Sequence, residues 1–175
     1  MRATSAHLIS VFIIVLSLVA ATGCQTSQTQ LNAETILMPE KGGDFRGIHI
    51  GDQPKAIKRN EQATSVYSMP DELIYRFEPE EIDSTWYEIS YNFNQDGLNH
   101  IHLDVYPAND ALFDHLMSDF QGHYQQRFGD GKTHGSQLEW RSLTEHGRLV
   151  TVSLSKGNGK ENRSCIRLLF NESMP

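Results

Sequence analysis

From Ser65 to Phe170 the chain moves between two rhythms of apolar and polar positions. Leu73, Tyr75 and Phe77 alternate with Ile74, Arg76 and Glu78, and this period of two predicts a strand. Ser65 to Tyr67 predicts a shorter strand, ended by Pro70. The stretch from Thr85 to Tyr106 carries the strongest local signal. Tyr87, Ile89, Tyr91 and Phe93 form one face of a first strand; Ile101, Leu103 and Val105 form one face of a second. Opposed residues of a hairpin must share a face. A three-residue loop, Gln95-Asp96-Gly97, meets that demand. It sets Asn94 opposite Leu98, Tyr91 opposite Ile101 and Ile89 opposite Leu103, with Gly97 in the left-handed position.

Between Asn109 and Phe128 the rhythm becomes helical. Phe113, Leu116, Met117, Phe120, Tyr124 and Phe128 fall on one stripe, Asn109 or Asp110 caps the start, and Gly129 follows the end. Three more strands are predicted at Gln137–Ser142, Arg148–Lys156 and Arg163–Phe170, with turns at Glu145-His146-Gly147 and Gly157-Asn158-Gly159. Upstream, Phe45, Ile48 and Ile50 precede Gly51-Asp52. Asp52 is placed to cap a short helix over Gln53–Asn60, with Pro54 in its first turn. The order helix, strands, helix, strands predicts an α+β fold. Its expected architecture is an antiparallel β-sheet with helices packed on one face, in two rough α-β-β-β units.

The first 24 residues follow a different logic. Arg2 precedes an apolar run from Leu8 to Ala21, too short for a span of ~20 apolar residues and followed by small residues, the pattern of a signal peptide. Ala21-Thr22-Gly23-Cys24 resembles the lipobox of bacterial lipoproteins, with Ala21 where that family usually has leucine. The resemblance implies cleavage before Cys24 and acyl chains, palmitate among them, on Cys24. It also implies a membrane anchor without a spanning helix. Gln25 stands where an aspartate usually retains such proteins at the inner membrane, so the implied location is the periplasmic face of the outer membrane. Gln25 to Gly43 is polar and without sustained periodicity; it reads as a flexible tether with an r.m.s. reach of ~24 Å. The expected division is a signal peptide over 1–23, a lipidated cysteine and tether over 24–43, and one α+β domain over 44–175.

Composition narrows the function classes. Hydrophobic residues make up 38% and charged residues 21%, which is ordinary for a globular chain. The net charge of −7 disfavours nucleic acid as the main partner, since phosphate binding needs a basic face. With Cys24 lipidated, Cys165 is left alone and cannot form an internal disulfide, so the fold rests on its core.

The element order, with Gly47 to Ile57 (GIHIGDQPKAI) opening its first helix, resembles the BamE/SmpA and beta-lactamase-inhibitor-protein superfamily. Those proteins are often periplasmic lipoproteins that bind other proteins. The resemblance therefore implies a non-enzymatic interaction module with an unidentified protein partner, of the envelope-assembly or the immunity and inhibitor type.

Enzyme signatures are broken. Gly131-Lys132-Thr133 ends like a phosphate loop, but Gln126 replaces the needed glycine and a helix precedes it. Asn92 to Gly97 starts like a calcium loop, yet Leu103 stands where a bidentate glutamate is required. No cofactor is expected. One constellation holds an alternative. His100, His102 and Asp104 share a strand face, and the derived register sets Glu88 opposite Asp104. Like charges directly opposed destabilise a sheet. A cation between Glu88 and Asp104, with His102 diagonal, would relieve them, and the alternative is a metal-binding protein or metal-dependent enzyme that uses His100, His102, Asp104 and Glu88. The other reading of these residues is the solvated outer face of a half-buried sheet. His115, Asp119 and His123 line one helical row that reads as solvated, Cys165 as an inert, partly buried thiol, and Trp86 and Trp140 as packing residues.

Overall fold

The computed structural model describes residues 31–63, 65–80, 82 and 84–173. The signal segment, Cys24 and residues 25–30 of the expected tether lie outside the described residues. Three α-helices are present among the described residues: α1 (Ala33–Leu37), α2 (Pro54–Asn60) and α3 (Asp110–Phe128). The strands are β1 (Ser65–Ser68), β2 (Glu72–Phe77), β3 (Trp86–Asn94), β4 (Gly97–Tyr106), β5 (Lys132–His134), β6 (Gln137–Leu143), β7 (Leu149–Asn158) and β8 (Ser164–Glu172). They form one antiparallel sheet in the order β1-β2-β3-β4-β8-β7-β6-β5. Two four-stranded meanders thus meet at its centre, along β4 and β8.

The α+β reading and the single antiparallel sheet match this architecture, but the two α-β-β-β units do not. The chain runs α2, four strands, α3, four strands. The strand the pattern omitted is β5, whose three residues are all exposed and include no apolar side chain, so no alternation could reveal it.

Alternation fixes which face is inside. Leu73, Tyr75, Tyr87, Ile89, Tyr91, Ile101, Leu103 and Val105 are buried together with Ile166, Leu168, Phe170, Val150, Val152, Leu154 and Trp140. Helix α3 lays Phe113, Leu116, Phe120 and Tyr124 on this face, as its stripe predicts. Asn109 caps it, its side-chain oxygen accepting from the Leu112 amide at 2.9 Å.

The hairpin register holds from Tyr87↔Val105 to Asn92↔His100. Its turn does not. Asn94 pairs with Gly97 and Phe93 with Leu98, and a bulge at Asn99 restores the parity. The turn is therefore one residue tighter than expected. Gly97 has φ of 109°, and a Cβ there would collide with the Gly51 carbonyl. That contact explains the bulge. The Gly51 amide donates to the Leu98 carbonyl at 2.7 Å and the Leu98 amide to the Asp52 carbonyl at 2.8 Å. Asp52 does not cap α2: the cap is Gln53, and the Asp52 carboxylate instead accepts from the His49 amide at 2.9 Å.

Two further boundaries shift. β7 continues through Gly157 and Asn158, paired with Cys165 and Ser164, so the connection to β8 is the turn Lys160–Asn162 rather than Gly157 to Gly159. Residues 31–43, expected in the tether, belong to the domain. Leu31, Ala33, Ile36 and Leu37 are buried, and Asn32 and Thr35 form a capping box at the start of α1. Five helical residues are too few to display a period, which is why this segment read as polar linker.

Candidate functional site

Two clusters of charge flank β3, one on each face. On the inner face, Arg46 lies in a tight turn between Phe45 and Ile48 with φ of 54°, and its side chain points into the core. It forms a two-pronged pair with Glu61, Nε to Oε1 at 3.0 Å and Nη2 to Oε2 at 3.1 Å, and its Nη1 donates to the Ile36 carbonyl. The Tyr91 hydroxyl donates to Glu61, and the guanidinium covers the Phe77 ring. Both charged side chains are about 2% exposed or less. Burial and the adjacent Glu61 carboxylate push the Tyr91 phenol well above its usual range. This cluster ties α1, the end of α2 and β3 together. Sequence reasoning missed it, because an arginine between two apolar residues carries no periodic signal.

The outer face is where the sequence-derived candidates lie. Even-numbered residues of β2, of β3 and of β4 from His100 onward point there, and so do odd-numbered residues of β6, β7 and β8. None of the three α-helices described above contributes to this face; the one-turn 3-10 segment Lys160–Asn162 does. Glu88 and Asp104 are direct neighbours across β3 and β4, as the register predicted. Each has protein cations of its own. Glu88 accepts from Arg76 at 2.7 Å and from Lys160 at 2.5 and 2.7 Å. Asp104 accepts from Arg167 through Nε and Nη2, both at 2.8 Å, and meets His102 Nε2 at 2.9 Å. Burial alone would raise both carboxyls. Hydrogen bonds from Lys160 and Arg76 outweigh it at Glu88, and those from Arg167 and His102 outweigh it at Asp104, so both end below the ordinary range.

The repulsion that motivated a bound cation is thus met by three side chains from β2, β8 and the β7–β8 turn. His100 is drawn away to Asn171 on β8, and burial lowers its pKa. Among the described residues, no group of three or more His, Cys, Asp or Glu side chains is arranged to hold a metal ion.

Aromatic rings complete the face. Trp86 stacks on Tyr106 with centroids 3.8 Å apart, and the Arg76 guanidinium lies over Trp86 at 4.4 Å. The β7–β8 turn folds back over Tyr106, whose hydroxyl accepts from the Lys160 amide at 3.2 Å. Gly159 is needed there, because a Cβ would enter the Tyr106 ring. Trp86 is therefore a surface platform, while Trp140 is a packing residue, buried and donating to the Gly129 carbonyl at 3.0 Å.

Cys165 is fully buried beside Arg167, and burial pushes its thiol up to about 11. That is the opposite of an activated nucleophile. His115 and Asp119 meet at 3.4 Å on the half-exposed side of α3. Beyond β2 the face ends at β1, where Val66, Tyr67 and Met69 are exposed apolar side chains at the sheet edge. No helix among the described residues is long and apolar enough to cross a membrane. No protein-family model matches the chain, and no curated protein or solved structure matches it either.

Proposed function

We propose that the chain is a lipoprotein anchored through Cys24 at the periplasmic face of the outer membrane, and that its domain is a non-enzymatic protein-interaction module. The observation that supports this reading is the uncovered outer face of the sheet. Its charges are paired within the protein and its Arg76–Trp86–Tyr106 stack is already assembled. Such a surface loses little side-chain freedom on binding, and Trp, Tyr and Arg are the residues that dominate binding energy at interfaces. The partner sits close to the bilayer on this reading. The domain described here begins at Leu31, and a chain of seven residues from Cys24 to Leu31 reaches at most ~25 Å.

Site-directed photocrosslinking in intact cells tests the reading. A crosslinker placed at Ser90, on the outer face, should capture a protein, whereas one placed at Gln121 on the exposed side of α3 should not. A monomer that captures nothing from Ser90 and turns over a substrate overturns it.

A further inference from the structure

Where the outer face meets the sheet edge, Val66 and Tyr67 of β1, Glu72, Ile74 and Arg76 of β2, Glu88 and Lys160 enclose a trough of about 440 Å³. Its floor has an order set by β2. Glu72, Ile74 and Arg76 are alternate residues of one strand and point to one face, about 6.7 Å apart at each step. Acid, apolar side chain and base therefore follow one another along the trough. The apolar wall is unusually open for this protein: Val66 is 56% and Tyr67 45% exposed. At the basic end Arg76 and Lys160 share the single carboxylate of Glu88. Glu88 is only 9% exposed, while Lys160 is 56% exposed. The pair thus offers unused donors and one surplus positive charge to whatever enters. Lys160 Nζ has three donors and Arg76 five, and Glu88 cannot occupy them all.

We propose that this trough seats an extended segment of the partner protein whose alternate side chains run acidic, apolar and basic, facing Arg76 and Lys160, Ile74, and Glu72 in turn. The proposal rests on the interaction-module reading above. An extended strand repeats its side chains on one face at the same spacing as β2, so all three positions can be met at once. Other anions fit less well. A phosphate-rich ligand needs a larger positive excess than one, and an anionic lipid surface would be repelled by Glu72 at the far end.

Isothermal titration of the whole chain in detergent tests it, with acetyl-Thr-Glu-Thr-Leu-Thr-Lys-Thr-amide and the reversed sequence as probes. One of the two orientations should bind. Replacing the peptide's acid and base by glutamine should weaken binding about tenfold or more, the worth of a charge-assisted hydrogen bond. Lys160→Ala should weaken it by a similar factor while leaving the circular dichroism spectrum unchanged, and Ile74→Ser should do so without altering the charge dependence. Failure of both orientations overturns the proposal, as does equal binding by the glutamine peptide or by Lys160→Ala. Displacement of the bound peptide by vesicles containing phosphatidylglycerol, but not by vesicles of phosphatidylcholine alone, into which the acyl anchor inserts equally well, overturns it in favour of an anionic lipid surface. If the Ser90 crosslinker still captures a protein while both peptides fail, the trough is wrong and the interaction-module reading stands.

Discussion

The Arg46–Glu61 pair and the Arg76–Glu88–Lys160 cluster lie on opposite sides of one strand, and both join arginine to glutamate in two-pronged or shared contact. Their surroundings separate them. The Arg46 and Glu61 side chains are almost fully buried, and the Ile36 carbonyl and the Tyr91 hydroxyl are turned toward them. Arg76 and Lys160 are one-third and one-half exposed around a buried acid. The same chemistry therefore fixes the fold on one face and leaves charged side chains open to solvent on the other. A buried pair is held by the cost of leaving either member alone, whereas a half-exposed pair can exchange partners with solvent or ligand at small cost.

The contrast is broken most severely at Glu61. Glu61→Gln leaves the Arg46 guanidinium buried without its countercharge and should destabilise the domain by ~3–5 kcal/mol, read by urea denaturation. An effect below 1 kcal/mol would show that water reaches this cluster.

Asp104 stands between the two extremes. Arg167→Met removes its two-pronged partner at the β4–β8 junction and should cost ~1–3 kcal/mol. Asp104 and Glu88 ionise below their ordinary range in the folded state. The unfolded chain therefore binds more protons in acid, and their stabilisation is present above the ordinary carboxylate pKa of ~4. It is lost as pH falls below that value toward the folded pKa. Denaturation midpoints measured downward from neutral pH should fall in the wild type, and Arg167→Met should flatten that acid limb. A parallel acid limb in the variant would remove Asp104 from the account.

Smaller effects belong to the exposed side. Lys160→Ala should change stability by no more than ~1 kcal/mol, because Arg76 keeps Glu88 paired and the lysine is solvated. Last comes Cys24→Ala, expected to leave the denaturation midpoint unmoved while releasing the protein from the membrane fraction or stranding it as an uncleaved precursor. Fractionation with a lipid label checks it. A Cys24→Ala protein that is processed and still sediments with membranes is held there by something other than a lipid.

Much of the outer face was legible in advance because strand parity is local. Once Tyr91 faced Ile101, Glu88 had to face Asp104, with His102 beside them. The partners of those acids were not legible. Arg167 lies on the last strand of the second meander and Lys160 in the turn before it, so no spacing in the chain links either to β3. The trough was hidden for the same reason: Val66, Arg76 and Lys160 become neighbours only when the β7–β8 turn folds back across Tyr106. The early segment around α1 misled for a different reason. Its polar surface residues outnumber the four buried ones, and only docking shows which are which.

The sequence by itself determined the strands with clear alternation, the long helix with its stripe and caps, and the hairpin register in its middle. These depend on neighbours a few positions apart, where backbone geometry and side-chain direction leave few options. Tertiary structure alone decided the order of the strands, the tighter turn at Gly97, the entry of residues 31–43 into the domain and the partners of Arg46, Glu88 and Arg167. Each of those outcomes depends on a contact between residues far apart in the chain. Such contacts form where burial and charge pairing outweigh local preference, as they do where Gly51 presses against Gly97 and where Lys160 reaches Glu88.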